Sequence, residues 1–362
     1  MIQTSLKDQR DTDKARLLKA IGSKGKKITV IVGLSKNAGK TTFLNWLLEQ
    51  TTFSQKGVIT TGRDGEDLDV LEKVKKPKVK IPQAAIFTAR ASEVSKKSGF
   101  LHVLEKLPFK AGGQDIWLVK SDTSLETEIV GPPSVSEQIE TARKILSYGV
   151  EHIFIDGSLD RKAISSAWDV DSLIVTGSPM YGNLARLKRG FKRLHDLTKI
   201  KGFHEVFPEN LRMQLLQDEH IKVGTFKNKT RAEIELTTLA FKTLLGHEKE
   251  IAGIIRVKGK ELSFLYIPTS ITEKSFLLLK SLIQELDNLQ IVVKHPFHLQ
   301  LEDQSSSWLR HKNVLLTLKK MDIAGMVINS YAVNGNHLDC EHFRSAIRTD
   351  FALPVIDVME IG

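Results

Sequence analysis

The sequence contains a single cysteine, Cys340, in 362 residues. This scarcity excludes an intrachain disulfide framework and favours a reducing compartment. Long apolar runs are also missing, since no stretch approaches the roughly 20 apolar residues needed to span a bilayer. The opening residues, MIQTSLKDQRDTDKARLL, carry charges where a secretory signal would need an apolar core. We therefore expect a cytoplasmic protein that does not associate with membranes.

Apolar residues make up 41% of the chain and charged residues 27%, which excludes a disordered, collagenous or low-complexity protein. The length fits one large or two ordinary domains. With 53 basic and 43 acidic side chains, the formal net charge is +10. A basic excess attracts polyanions of any kind, but here the bases are mixed with acids along most of the chain. The sequence therefore indicates a solvated basic surface, and nucleic-acid binding is not expected.

The chain divides into three regions by composition. Residues 1–26 are polar and basic, with Leu6, Leu18 and Ile21 at loosely helical spacing, and they predict a helical extension or, alternatively, a partly ordered arm. Residues 27–200 form a nucleotide-binding region with a β-rich insertion around 66–132. Residues 201–362 form a C-terminal α/β region that either continues the same sheet or builds its own.

Buried strands alternate with helical patterns along most of the chain, which predicts an α/β fold with a mostly parallel sheet covered by helices. Within the C-terminal region the predicted strands are IKVGTF, EIAGIIRV, ELSFLYIP, NLQIVVKH, IAGMVINS and LPVIDVM. The predicted helices there are residues 231–245, 271–287, 305–319 and 338–348. Upstream, SVSEQIETARKILSYG predicts a helix that Ser134 or Ser136 caps and Gly149 ends.

The strongest local signal is VGLSKNAGKTT, residues 32–42, between a buried strand and a helical pattern. A phosphate chain needs several donors on a concave surface, and the N–H groups of a tight loop and the following helix N-terminus supply them. Gly39 lets the backbone approach the phosphates, Lys40 reaches the β and γ oxygens, and Thr41 holds Mg²⁺ through its hydroxyl. The pattern predicts a phosphate-binding loop (P-loop). The residues expected to bind the nucleotide are Ser35, Lys36, Asn37, Ala38, Gly39, Lys40, Thr41 and Thr42.

The loop departs from the usual motif at its start, because Leu34 stands where the first glycine is expected. This departure leaves open a protein that binds a nucleotide without hydrolysing it.

A magnesium site at a P-loop also needs a carboxylate from a neighbouring strand. The segment HIFID ends in Asp156, and ligands of open α/β sheets bind at the carboxyl ends of the strands. We predict that Asp156 and Thr41 hold Mg²⁺ together. The alternative is an aspartate that merely ends a strand and opens a turn.

A second carboxylate candidate follows the strand GVITTG in the sequence TTGRDGED, residues 60–67. At the same sheet edge, Asp64 would orient the attacking water or bind Mg²⁺ through water, and Glu66 is the next candidate. Together with Lys40, these two residues form the predicted catalytic set. The alternative is an ordinary polar turn, because Arg-Asp-Gly is common turn chemistry.

Several segments, in order, resemble a known P-loop family: the ATP-binding subunit of the reactivating factor for lysine 5,6-aminomutase, an adenosylcobalamin enzyme. The segments are SKNAGKTTFLN (35–45), TTGRDGED (60–67), FIDGSLDRKAISS (154–166), LIVTGS (173–178), LYIPTSIT (265–272), IVVKHP (291–296), AGMVINSYAVNG (324–335) and LPVIDVM (353–359). The resemblance implies a P-loop NTPase fold, ATP and Mg²⁺ as cofactors, and a client aminomutase as partner, with a second reactivase subunit or an oligomer compatible with it.

The C-terminal order is also similar to that of dethiobiotin-synthetase-like P-loop enzymes, in which a strand-end asparagine contacts adenine. Asn329 matches that position, with LPVIDV after it, and a side-chain amide both donates and accepts hydrogen bonds. An asparagine in an ordinary turn is the alternative.

Three functions are compatible with these features. The first is a Mg²⁺-dependent ATPase that drives a conformational step on a client mutase. The second is a small-molecule kinase or ATP-dependent ligase with its acceptor pocket in residues 66–132 and 178–260. The third is the non-hydrolysing nucleotide-binding scaffold suggested by Leu34.

Overall fold

The computed structural model describes residues 2–34, 38–60, 78–158, 170–178, 184–227, 233–286, 289–330 and 340–361. The chain forms two compact units, one from Met1–Lys192 with Asp322–Gly362 and the other from Arg193–Met321. Among the described helices, none combines the length and apolar character that a membrane crossing requires.

Helices and strands alternate along most of the described chain. The helices are α1 Ile2–Ile21, α2 Lys40–Gln50, α3 Ala91–Lys96, α4 Val135–Ser147, α5 Leu184–Thr198, α6 Glu209–Leu216, α7 Glu248–Lys258, α8 Glu273–Glu285, α9 Asp303–His311 and α10 Cys340–Arg348. Strands of the N-terminal half are β1 Ile28–Gly33, β2 Lys56–Thr60, β3 Val79–Ile81, β4 Ile86–Arg90, β5 Leu101–Ala111, β6 Gln114–Ser121, β7 Leu125–Thr127, β8 His152–Ser158 and β9 Ser172–Gly177. Those of the C-terminal half are β10 Lys201–Gly202, β11 Lys222–Phe226, β12 Ile234–Thr238, β13 Leu262–Ile267, β14 Ile271–Thr272, β15 Gln290–Val293, β16 Leu299–Gln300, β17 Leu315–Thr317, β18 Ile323–Ile328 and β19 Val355–Asp357.

The first unit is built on a nine-stranded sheet with the order β19-β18-β9-β1-β8-β2-β4-β6-β5. The seven strands from β19 to β4 pair in parallel, and β6 and β5 add two antiparallel strands at one edge. Every residue of β1, β9 and β18 is buried, which explains why these strands read as continuous apolar runs. The large, mostly parallel α/β sheet predicted from the sequence is confirmed.

The predicted β-rich segment contributes to this sheet directly. Strands β4, β5 and β6 extend its edge, while β3 and β7 pair with each other in a separate two-stranded ribbon. Because β4 continues the parallel order, and β6 and β5 add two antiparallel pairings beyond it, the segment enlarges the main sheet.

The N-terminal region forms the helix α1, and its apolar side belongs to the core of the first unit. Leu17 and Ile21 are fully buried in the same hydrophobic cluster as Phe43 and Leu44 of α2. Leu17 lies against Gly325 of β18. A side chain at position 325 would occupy the space that the Leu17 side chain fills. This burial ties α1 to the sheet.

The second unit has its own six-stranded sheet, with the order β10-β17-β15-β13-β11-β12. Four strands are parallel, and β11 and β12 are antiparallel. Beside this sheet, Phe203, Phe207 and Phe264 pack into a small aromatic core. The C-terminal region is therefore divided: β18 and β19 continue the sheet of the first unit, while β10 to β17 lie in the second.

Three secondary-structure predictions in this region are wrong. The helix predicted over residues 305–319 ends at His311, and residues 315–317 form strand β17, which pairs with β15. Residues 250–257, predicted as a strand, lie in helix α7, where Ile255 is buried and Val257 is 87% exposed. In a strand, Ile255 and Val257 would lie on the same face because they are two residues apart. In a helix they lie on different faces, which explains their different burial. Residues 231–245, predicted as a helix, contain strand β12, which pairs antiparallel with β11, so non-local pairing outweighs local pattern there.

Candidate functional site

The centre of the candidate site is the junction of β1 and α2. After Gly33, the N–H of Leu34 donates to the carbonyl of Thr176 in β9 at 2.8 Å, so the chain stays in the sheet for one residue more. Ser35, Lys36 and Asn37 lie outside the described residues. The chain then continues through the buried Ala38 and Gly39 into α2, which begins at Lys40.

Gly39 is the N-terminal cap of α2 and has a left-handed backbone, with φ +82°. Glycine adopts this conformation without the steric cost that a Cβ imposes. Gly39 carries no side chain that could cap the helix, so the first N–H groups of α2 receive no acceptor from the capping residue itself. With the positive end of the helix dipole, they favour an anion at this point.

Thr41 and Asp156 meet at this edge of the sheet. The Thr41 hydroxyl donates to Oδ2 of Asp156 at 3.3 Å, and both side chains are half-buried. Asp156 lies opposite Ile31 of β1 and Thr60 of β2 in the parallel register. The sheet therefore brings together the two residues that the sequence predicts as metal ligands.

Their chemistry fits Mg²⁺, which prefers oxygen ligands, keeps several waters and is bound through one or two carboxylates plus phosphate oxygens. Across the ranges that the structure describes, there is no cluster of three His, Cys, Asp or Glu side chains that would form a cage for a metal. One hydroxyl and one carboxylate suit a metal shared with a bound phosphate. The metal role of Thr41 and Asp156 stays a prediction.

Lys40 and Thr42, the other described residues of the predicted loop, occupy the first turn of α2. Lys40 is half-buried at the start of the helix, and Thr42 is exposed. Lys40 therefore lies next to Thr41 at the junction, where a lysine would reach a bound phosphate chain.

The position of β2 corrects one step of the sequence reasoning. The prediction for Asp64 depends on its strand being a direct neighbour of β1, but β2 pairs with β8 and β4. Strand β8 lies between β1 and β2, so the carboxyl end of β2 adjoins Asp156 first: Thr60 is the register partner of Asp156. Asp64 and Glu66 lie outside the described residues, and their catalytic role stays a prediction.

Sequence reasoning missed Gly131, which lies against the end of β2. A Cβ at position 131 would come within 1.6 Å of the carbonyl oxygen of Thr60, so no other residue fits without moving the backbone. The signal available in the sequence was Gly-Pro-Pro directly before the predicted cap of α4. Ser134 caps that helix as expected, in a reciprocal arrangement with Glu137.

Asn329 lies on the other side of the loop, at the end of β18. Its backbone N–H donates to the carbonyl of Gly177 at 2.9 Å. A Cβ built on Gly39 would be 3.4 Å from the Cβ of Asn329 and 3.0 Å from Val358. The ends of β18 and β19 thus form a wall beside the glycine of the loop, and Asn329 is part of it.

Asp357, at the end of β19, is buried in that wall. Its Oδ1 accepts from the N–H of Ser330 at 3.4 Å and from the N–H of Met359 at 3.0 Å. Desolvation by burial raises the pKa of this carboxyl, against the opposing effect of those hydrogen bonds. Asp357 therefore connects the ends of β18 and β19.

Two buried histidines and the single cysteine belong to elements other than β1, α2 and β8. His295 and His298 belong to the second unit, where both are buried. Desolvation lowers the pKa of His295 to about 3, and its Nδ1 accepts from the N–H of Phe297. Cys340 begins helix α10 and His342 is exposed on it.

No protein-family model matches this chain, and no curated protein matches it. Among solved structures, the chimerical protein CapA2B2 aligns with a TM-score of 0.28 and 11% sequence identity, over 49% of this chain and 74% of that one. A similarity this low carries no argument about fold or function.

Proposed function

We propose that this chain is a Mg²⁺-dependent ATP-binding and ATP-hydrolysing protein with a P-loop NTPase fold. The observation that carries the proposal is the contact of Thr41 with Asp156 at 3.3 Å, directly after the glycine cap of α2. A hydroxyl at the start of a helix and a carboxylate from the adjacent strand, at the carboxyl edge of a parallel sheet, are the parts that a nucleotide-bound magnesium needs.

Each residue then has a distinct role at the phosphate chain. The N–H groups at the start of α2 bind phosphate oxygens, and Lys40 adds a positive charge at the β and γ positions. Thr41 and Asp156 would hold Mg²⁺, which neutralises phosphate charge when bound. Asp64 or Glu66 would orient the attacking water, and Asn329 would lie against the base.

We further propose that hydrolysis serves a partner, as in the reactivating factors of adenosylcobalamin-dependent aminomutases. The support is the ordered resemblance of eight segments from residue 35 to residue 359. In such a role, ATP turnover changes the conformation of the client and expels a damaged cofactor. An aminomutase should therefore stimulate hydrolysis, and a small metabolite should not.

The experiment is a titration of ATP into the purified protein, with and without Mg²⁺, followed by a turnover assay. Lys40→Ala should abolish turnover or most of the affinity, because it removes the charge at the β and γ phosphates. Lys274→Ala is the matched control, since Lys274 is a lysine in the first turn of another helix, α8. Unchanged binding and hydrolysis in Lys40→Ala would refute the proposal.

A small-molecule kinase or ATP-dependent ligase is the second candidate. The observation that favours it is a cavity of about 910 Å³ within the second unit, lined by apolar side chains such as Phe207 and Leu211 and by polar ones that include Lys201, Lys227 and Glu233. Sites for small molecules have this size and mixed lining. Turnover that depends on an added metabolite would favour this candidate, while binding without any turnover would favour the scaffold that Leu34 suggested.

A further inference from the structure

The turn after β19 connects the candidate nucleotide site to the rest of the first unit. Residues Val358–Glu360 form one 3-10 turn, which we call the 358–360 turn. At its start, Val358 is buried against Gly39, with its methyl groups 3.0 and 3.1 Å from where a Cβ of residue 39 would lie. The glycine cap of α2 therefore has a fixed neighbour on this side.

The end of the 358–360 turn is held by charge. Glu360 pairs with Arg344 of α10 at 2.5 Å and with Arg10 of α1 at 3.0 Å. Arg10 and Arg344 also pair with Glu341, at 2.9 and 2.5 Å. The side chains of Arg344 and Glu360 are only 3% and 11% exposed. Losing one partner of the Arg344–Glu360 pair leaves the other charge buried, whereas the Arg10 side chain is 36% exposed and its pairs are partly screened by water.

Helix α1 makes two further contacts beside this group of charges. Lys14 donates to the backbone carbonyl of Glu360 at 3.3 Å. Leu17 and Ile21 share one hydrophobic cluster with Val358 and with Phe43 of α2. The same helix therefore contacts the end of the 358–360 turn at Glu360 and shares one hydrophobic cluster with the start of the turn, Val358, and with α2.

We propose that Arg10 and Glu360 are positioning residues for the nucleotide site: through the 358–360 turn, the N-terminal helix α1 holds the wall against which the P-loop glycine is set. This inference rests on the proposed function. It adds that the basic N-terminal segment is part of the nucleotide site, and that docking of α1 and binding of the nucleotide are coupled.

Coupling of this kind is reciprocal. If α1 must be docked for Val358 to support Gly39, then a bound nucleotide must in turn favour the docked helix. A partner that displaces α1 would weaken nucleotide binding by the same factor.

The test compares three variants in α1. Arg10→Gln removes the charge paired with Glu360, and Arg10→Lys keeps it. Arg16→Gln is the matched control, because Arg16 lies on the same helix, pairs with Asp13 at 3.5 Å and donates to the carbonyl of Ala352 at 2.9 Å. The Arg16 side chain is 49% exposed and pairs within its own helix, whereas Arg10 contacts Glu360 of the 358–360 turn.

We expect Arg10→Gln to bind Mg²⁺ and ATP about 5-fold more weakly or worse, the lower scale of coupling between two sites. Arg10→Lys should restore most of the affinity, and Arg16→Gln should bind as the wild type does. Saturating nucleotide should also slow amide hydrogen exchange in α1 of the wild type and of Arg16→Gln, but much less in Arg10→Gln. A residue with only a structural role would lower thermal stability without this dependence on nucleotide.

Two failures can be told apart. If the wild-type protein binds no nucleotide, the proposed function fails and this inference fails with it. If the wild type binds and Lys40→Ala does not, but Arg10→Gln and Arg16→Gln have the same affinity, the inference alone is overturned. Should Arg10→Gln not fold, Val358→Ala removes the contact with Gly39 and leaves the ion pairs, and it must show the same loss of affinity.

Discussion

Replacing Thr41 with valine removes one hydroxyl and keeps a β-branched side chain of nearly the same volume and helix propensity. Without nucleotide, the change should cost little. The bond to Asp156 is 3.3 Å long, at the weak end for a hydroxyl donor, and water can reach both half-buried side chains. We expect the free energy of unfolding to fall by less than about 1 kcal/mol.

With Mg²⁺ and ATP the same variant should behave very differently, because in the proposed site it would lack a direct ligand of the metal. A 10-fold loss of affinity corresponds to about 1.4 kcal/mol. At a nucleotide concentration of about 100 times the wild-type Kd, ligand binding stabilises the folded protein by about 2.7 kcal/mol, and a 10-fold weaker Kd lowers this to about 1.4 kcal/mol. For a unit of this size, the nucleotide-induced rise in Tm should then shrink by roughly 3–5 °C.

The assay is thermal unfolding of the wild type and the variant, each with no ligand, with ATP and EDTA, and with ATP and Mg²⁺. Thr141→Val is the control, because the Thr141 hydroxyl is buried within α4, where it donates to the carbonyl of Glu137 at 2.8 Å. This control should lower Tm equally in all three conditions. If Thr41→Val keeps the full Mg²⁺-dependent rise in Tm, Thr41 is not a metal ligand and the assignment of the site is wrong.

Three other predictions concern catalysis, packing and pH. Asp64→Asn should keep ATP affinity within a few-fold while lowering turnover by ~10²-fold, the lower scale for loss of an acid–base group; near-normal turnover would return Asp64 to a turn role. Gly131→Ala should lower the free energy of unfolding by more than about 3 kcal/mol, because its Cβ would meet a carbonyl oxygen at 1.6 Å. Gly99→Ala, with nothing within 4 Å of the added Cβ, should leave the free energy of unfolding nearly unchanged. A urea titration of each variant measures both effects. Burial lowers the pKa of His152 from 6.5 to about 4. Between these pH values the unfolded chain binds a proton at this residue and the folded protein does not. The free energy of unfolding therefore falls as the pH drops from 6.5 towards 4. The free energy of unfolding changes by up to about 1.4 kcal/mol per pH unit for one such group. If the unfolding midpoint of His152→Gln falls with pH as steeply as that of the wild type, this assignment is contradicted.

The local parts of the candidate site could be predicted from the sequence. The run from Ile28 to Gly33 is buried on both faces and therefore uninterrupted by charged residues. The helix after Gly39 follows from its own apolar period, and the cap at Ser134 follows from the spacing to Glu137. These features depend on residues within about one or two turns of one another, so a short window of sequence contains the physical cause.

The order of the strands could not be predicted in this way. Strand β8 lies between β1 and β2, which places Asp156, and not the end of β2, next to β1. All three segments are short and apolar and would pair equally well in several orders. Which neighbour each one takes depends on the crossovers and on the helices that cover both faces of the finished sheet.

The sequence by itself determined the strand at residues 28–33, the helix that starts at Lys40, the carboxylate near the end of β8, and the α/β class, because backbone preference and burial pattern are properties of neighbouring residues. Only the tertiary structure decided which sheet received β18 and β19, where α1 docked, and which glycine had to lie against Thr60. Those choices depend on pairing and close packing between segments far apart in the chain, and the free energy of such contacts exists only once the partners have been brought together.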